Sequence, residues 1–156
     1  MATKKIFLGI IGGSSCTKEV GQLAYDVGKE IAKAKAILLC GGLGGTMEAA
    51  CRGAKSENGT TIGILPSWNR HSANQYVDYA IVTGLSEMRN LLVVENSDAI
   101  IALPGRYGTL SEIAFCLNSG KPIISFSNWN ISKKMIKPEN PAEAVKLALE
   151  KIGNGR

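Results

Sequence analysis

Short runs of apolar residues alternate along this chain with stretches whose apolar positions fall at helical spacing. Ile6 to Ile11 mixes no polar residue into its run, as expected of a strand buried on both faces. Gly12-Gly13-Ser14-Ser15 follows. Val20, Leu23, Ala24, Val27 and Ile31 then mark one face of a helix, with Thr17 or Ser15 as its cap. Ala36 to Cys40 predicts a second buried strand, Gly41 to Gly45 a second glycine loop, and Thr46 to Lys55 a helix of small residues. Thr60 to Leu65 predicts a third strand, stopped by Pro66. Ser67 to Tyr76 is polar and irregular, a lid or rim in outline. Tyr79 to Val82 reads as a weak fourth strand and Gly84 to Asn96 as a helix. Asp98 to Leu103 is the fifth strand, and a helical pattern runs from Thr109 to Asn118. Gly120 stops it, and Lys121 to Phe126 predicts a sixth strand. Asn140, Pro141 and Glu143 form a helix start, and the last helix should fray from Gly153 onward.

Alternating strands and helices of this kind predict βαβ units. The expected fold is therefore a Rossmann-like, doubly wound α/β domain over 1–156, with a mainly parallel sheet and helices on both faces. In such sheets ligands bind beyond the carboxyl ends of the strands, where the strand order switches. Glycine loops follow strands one, two and five, so all three are expected to converge on one crevice.

Composition narrows this picture. Glycine is abundant, 18 residues, and clusters in those loops, where it permits positive φ and close approach of a ligand to the backbone. The net charge of +5 favours small anions. The lysines are scattered and lack interleaved aromatics, which speaks against nucleic acid. The four cysteines show no C-x-x-C spacing and read as free thiols, so neither a metal centre nor a disulfide framework is expected. No run approaches transmembrane length, and Gly12-Gly13 breaks the first apolar run too early for a signal peptide. Together these features predict a cytoplasmic protein.

The densest chemistry lies in Asp98 to Asn118. A buried strand enters a glycine turn and then a helix, which aims backbone N–H groups and the positive end of the helix dipole at one point. Gly105, Arg106, Tyr107, Gly108 and Thr109 are expected to cradle a phosphate. Gly12, Gly13 and Ser14, with Gly41, Gly42, Gly44, Gly45 and Thr46, would let the ligand lie against backbone. No loop ends in Gly-Lys-Ser/Thr, so this is not a Walker A site. Glu112 is open to two readings. With Thr109 it matches a capping box, in which it bonds the helix's own first amide; otherwise it is a carboxylate facing the ligand. Arg89, followed by Asn90, is either a surface arginine or a phosphate clamp. His71 reads as a solvated loop histidine, with no nucleophile for it to activate.

Two segments, GGLGGTMEAACRGA (Gly41 to Ala54) and LPGRYGTLSEIAFCL (Leu103 to Leu117), resemble the signatures of a superfamily once labelled "possible lysine decarboxylase". It includes the LOG (Lonely Guy) phosphoribohydrolases and the molybdenum cofactor carrier proteins. GIIGGSS, TIGILP and MRNLLVV resemble the carrier branch. The resemblance implies a Rossmann-like homodimer or higher homo-oligomer with a phosphate site at the second signature. It implies as ligand either a molybdopterin-type cofactor or a nucleoside monophosphate. In the hydrolase branch the signature is P-G-G-x-G-T-x-x-E, matched here at Pro104, Gly105, Gly108, Thr109 and Glu112, with Arg106 in place of the second glycine. The hydrolases follow their arginine with lysine; here Arg89 is followed by Asn90. If the protein is an enzyme, Arg89 and Glu112 are implied as its catalytic pair for N-glycosidic hydrolysis. The two departures favour a binding protein. Lysine decarboxylation is not supported, because no lysine sits in a glycine-rich site loop to carry a Schiff-base cofactor.

Overall fold

The computed structural model describes residues 4–155. Seven strands form one wholly parallel sheet in the order β4-β3-β2-β1-β5-β6-β7. They are β1 (Phe7–Ile11), β2 (Ile37–Cys40), β3 (Thr61–Leu65), β4 (Tyr79–Val82), β5 (Ala99–Ala102), β6 (Ile123–Ser125) and β7 (Met135–Ile136). The helices are α1 (Lys18–Lys33), α2 (Thr46–Ser56), α3 (Arg89–Glu95), α4 (Tyr107–Ser119) and α5 (Pro141–Asn154). β1 and β5 form the centre of the sheet. Every residue of β5 and the last four of β1 are buried, which is why neither strand alternates polar with apolar.

The two faces of the sheet carry separate cores. One packs α1, α2 and α5 over Leu8, Ile10, Leu38 and Ile101. The other packs α3 and α4 over Ile11, Leu39, Ile100 and Ala102. α1 and α2 cross backbone to backbone: a Cβ at Gly28 would overlap the Ala50 carbonyl, and one at Gly53 the Tyr25 carbonyl. Cys40, Cys51 and Cys116 are buried free thiols and Cys16 is exposed. The Cys40 and Cys51 sulfurs meet at 3.6 Å beneath the second glycine loop.

The predicted architecture holds, with four local differences. Gly84 to Asn96 is not one helix. Positive φ at Gly84 (64°) and Ser86 (50°) leaves a single 3₁₀ turn, Ser86–Met88, before α3 opens at Arg89. α4 begins at Tyr107, two residues before Thr109, with the extended Arg106 as the flanking residue and no side-chain cap. The last helix runs through Gly153 to Asn154, because Ile152 is buried and holds its final turn. β7 was not foreseen; a pair of residues between polar neighbours is too short to show periodicity. Thr17 caps α1 and Asn140 caps α5, each accepting from a backbone N–H three residues on.

Candidate functional site

β1 pairs with β2 on one side and β5 on the other, so the strand order switches across β1 and β5. A crevice must open beyond their carboxyl ends. The three glycine loops meet there. Gly13 N–H donates to the Pro104 carbonyl (3.2 Å), and the Thr46 N–H (3.0 Å) and hydroxyl (2.9 Å) both donate to the Gly13 carbonyl. They enclose a cleft of about 270 Å³.

Of the residues expected from sequence, Gly13, Ser14, Arg89, Asn90, Gly105, Arg106, Gly108, Thr109 and Glu112 line this cleft. Gly12, Gly41, Gly42, Gly44, Gly45 and Thr46 stand behind the lining and support it. Thr46 is fully buried and engaged with Gly13, and a Cβ at Gly12 would meet its hydroxyl at 2.5 Å. Gly41 passes directly under the Arg89 guanidinium, where a Cβ would collide. The Tyr107 ring points away from the lining and is 75% exposed. Ser15, Leu43, Met47 and Glu87 also line the cleft and were not anticipated as site residues; no motif marks them. Glu48 faces a separate surface hollow beside Arg52 and Tyr76. His71 is exposed. The polar 67–76 segment braces the second glycine loop: Asn74 donates its backbone N–H to the Gly42 carbonyl (2.9 Å) and its side-chain amide to the Leu43 carbonyl (2.8 Å).

The start of α4 offers donors. Its first intrahelical N–H is that of Leu110, bonded to the Arg106 carbonyl (3.0 Å). The N–H groups of Tyr107, Gly108 and Thr109 find no acceptor among the described residues. Three free amides at the positive end of a helix dipole are an arrangement suited to an anion.

Glu112 corrects the capping-box reading. A box needs Thr109 extended at the cap, but Thr109 is already helical and buried under Gly105. Glu112 therefore sits in the second turn of α4, 6% exposed, facing the cleft. Burial pushes its carboxyl up to about 8; the Arg89 charge opposes this, while Cys40 and Glu87 add to it.

Arg89 corrects the surface reading. It is the first residue of α3 and 7% exposed. Its Nη1 donates to Asn90 Oδ1 (2.9 Å), and Asn90 in turn donates to Ser111 Oγ (3.2 Å), which donates to the Gly108 carbonyl (2.7 Å). This chain ties α3 to the first turn of α4. The Arg89 Nε is buried without a partner, and no carboxylate among the described residues lies within 4.0 Å of the guanidinium. A buried cation without a counter-charge is costly, and an anion in the cleft would supply one.

A larger hollow, about 670 Å³, opens at the opposite end of the sheet beside Lys121, Lys133, Lys134 and Lys151. Lys121 Nζ is held by the carbonyls of Val94, Glu95 and Ser97 at the end of α3 (2.8, 2.6 and 2.8 Å). Lys121 is thus spent on the end of α3. Among the described residues no three His, Cys, Asp or Glu side chains gather as around a metal ion, and no helix is long and apolar enough to cross a membrane.

Fold and cleft together define a Rossmann-like α/β protein with an amide-rich pocket at its switch point. The chain belongs to the SLOG cluster 4 family, whose sequence profile matches residues 5–151. It is similar to the structure of the molybdenum cofactor binding protein from Rippkaea orientalis, at 36% identity and TM-score 0.88, covering 96% of this chain and 98% of that one. The Moco carrier protein of Chlamydomonas reinhardtii is 28% identical with TM-score 0.86, over 97% of this chain and 99% of that one. The cytokinin riboside 5′-monophosphate phosphoribohydrolase of Mycobacterium tuberculosis is 32% identical over 71% of this chain and 64% of the enzyme. These relatives support a LOG-family ligand-binding protein.

Proposed function

We propose that this protein binds a phosphorylated small molecule, with the phosphate at the start of α4 and a molybdenum-cofactor-type pterin as the leading ligand. The observation that carries the reading is Arg89: a buried guanidinium with no counter-ion, in the same cleft as three unused amides. A phosphate accepts from several donors at once and brings the missing charge. The residues fit such a group: Arg89 and Arg106 bring positive charge to the lining and Glu112 stays protonated near neutral pH, with the exposed Glu87 an opposing carboxylate. The relatives named for the molybdenum cofactor favour the pterin. Titration calorimetry with inorganic phosphate, AMP and a pterin monophosphate tests the site; saturable binding that Arg89→Ala abolishes is expected. Absence of saturable binding to every one of these probes overturns the reading. Mass spectrometry of material released from native protein tests the pterin.

A second reading, nucleoside 5′-monophosphate hydrolysis, is favoured by one observation. Glu112 is free of any capping role and carries a carboxyl pushed up to about 8, suited to moving a proton near neutral pH. Against it, the Asn90 amide is committed to Arg89 and Ser111 where the hydrolases carry lysine. Incubation with AMP and cytokinin nucleotides, followed by chromatography for free base, decides between them. Glu112→Ala must abolish any product for this role to stand.

The protein is further proposed to form a homo-oligomer. Tyr79 and Ile81 on the edge strand β4, with Leu85, Met88 and Leu91 beside it, expose apolar surface that a second copy would cover. Light scattering at micromolar concentration tests this; a monomer throughout overturns it.

A further inference from the structure

The anion cleft has a neighbour. On the β6 side a second chamber of about 430 Å³ opens beyond the carboxyl ends of β6 and β7, walled by Phe126, Trp129 and Met135 with Lys137 at its rim. The Gly105–Tyr107 turn separates the two. Trp129 Nε1 donates to the Gly105 carbonyl (3.0 Å), and Gly105 N–H donates to Asn128 Oδ1 (3.4 Å). The Tyr107 ring stands 6.1 Å from the Trp129 ring, tilted by 40°. Tyr107 is thus an exposed aromatic fixed at the first position of the same helix whose amides face the anion cleft.

Size argues for using both spaces. Small-molecule pockets usually run from about 300 to 1,000 Å³. At about 270 Å³ the anion cleft has room for a phosphate and a sugar, while a fused ring would have to extend beyond it. The chamber next door is large enough, and Phe126, Trp129 and Met135 give it an apolar side facing the polar Ser125, Ser127 and Asn130. Its loop is preorganised: Ser127 Oγ donates to the Trp129 carbonyl (3.1 Å) and Ser127 N–H donates to Ser125 Oγ (3.1 Å). A ring lying against Tyr107 gains stacking that a plain sugar phosphate cannot.

We infer that the ligand is bipartite, with its phosphate on the α4 amides and a planar heteroaromatic ring packed on Tyr107 at the mouth of the β6–β7 chamber. Tyr107 then selects ring-bearing phosphates over sugar phosphates. The inference rests on the anion-site reading above and adds the ring subsite to it.

The test compares ribose 5-phosphate, AMP and a pterin monophosphate by calorimetry on the full chain. In the wild type AMP or the pterin should bind about tenfold more tightly than ribose 5-phosphate. Tyr107→Ala, which keeps the backbone amide, should reduce that ratio to near one; Tyr107→Phe should restore it, because the ring and not the hydroxyl is used. Circular dichroism checks that both variants are folded. Ribose 5-phosphate binding with no preference for either ring overturns this inference alone. So does a ratio that survives Tyr107→Ala but falls in Leu43→Ala, which would put the ring over α2 instead. If no probe binds the wild type, the anion site fails as well.

Discussion

The two signature loops look alike in sequence and do opposite work. Gly41 to Gly45 leads into α2, and Gly105 and Arg106 lead into α4, whose first turn holds Gly108. In the first loop the chain is closed on itself. Gly42 and Gly45 take positive φ (76° and 63°), Thr46 gives its N–H and hydroxyl to Gly13, and Asn74 holds Gly42 and Leu43 from outside. In the second loop no glycine takes positive φ, no side chain caps the helix, and the first three amides are left over. One loop is a buttress, and the other is the one proposed above to bind the anion. The lesson is that glycine content marks where backbones come close; which loop is free to bind depends on where its donors go.

The largest effect should come from Arg89, which faces the binding loop from across the cleft. Arg89→Ala is expected to weaken binding of AMP or pterin monophosphate by at least about 3 kcal/mol, roughly 100-fold or more, because it removes a charged donor and the anion's counter-charge together. Its fold should hold, and the melting temperature should stay level or rise, since a buried cation with an unpartnered Nε is removed. Calorimetry and thermal melting read both. A large fall in melting temperature would mean that the Asn90 and Ser111 bonds, and not the ligand, justify the arginine.

The buttress is broken at Gly45. A Cβ there would lie 2.5 Å from the Gly13 carbonyl oxygen, at a backbone conformation (φ 63°, ψ −127°) closed to L side chains. Gly45→Ala should destabilise the protein by about 2–3 kcal/mol. Gly108→Ala makes the contrast. Its Cβ would have ordinary contacts at 3.8 Å or more, and the helical position favours alanine by about 0.5–1 kcal/mol. Urea unfolding of both variants should therefore give opposite signs. Matching losses would dissolve the distinction between the loops.

Much of this was legible in sequence. Unbroken apolar runs gave the buried strands, and glycine loops after strands one, two and five gave a shared crevice, because a parallel sheet puts all its strand ends on one side. What misled was local. Thr109-Leu110-Ser111-Glu112 fits a capping box by spacing, yet the helix starts earlier, at a turn set by Arg106 and by packing of Thr109 beneath Gly105. Nothing in the spacing of Arg89 tells a buried side chain from an exposed one; its burial follows from Gly41, distant in sequence, leaving room for the guanidinium. Trp129 and Asn128 gave no signal because they act through the Gly105 backbone.

The carboxylate on the binding side adds a pH dependence that the buttress lacks. Glu112 has its folded-state pKa raised by burial from the ordinary 4.5 to about 8. Below 4.5 both folded and unfolded states hold the proton, so its contribution to stability is fully present. Between 4.5 and 8 the unfolded chain releases the proton while the folded one keeps it, so stability falls as pH rises, by up to about 1.4 kcal/mol per unit. Arg89 faces the same carboxyl and tempers this slope, while Glu87 and Cys40 add to the shift. Glu112→Gln should flatten the profile over that window and be the more stable form above pH 8 in thermal melts. Anion affinity should likewise drop above pH 8 in the wild type only, as an ionised Glu112 repels the ligand. A wild-type profile already flat from pH 5 to 8 would mean that the carboxyl stays ionised against Arg89.

The mildest perturbation separates the two loops most finely, because it touches the binding loop without touching a donor to the ligand. Trp129→Phe keeps an aromatic ring against Tyr107 but deletes the N–H that holds the Gly105 carbonyl at 3.0 Å. One neutral hydrogen bond is worth about 1 kcal/mol, so a small fall in stability is expected. The binding loop has few other restraints on this side, since the Gly105 N–H bond to Asn128 is long, at 3.4 Å. Losing the stronger of the two should let Gly105 shift and disperse the amides behind it, weakening inorganic phosphate by about three- to fivefold. Trp129 bonds Ser127 and Gly105 and meets the Tyr107 ring, none of them in the buttress loop, so that loop's amide hydrogen exchange should not change. Exchange that quickens in 105–109 and stays constant in 41–46 is the expected pattern. Equal quickening in both would show that the loops move as one body, and that the division of labour between them is not built into the fold.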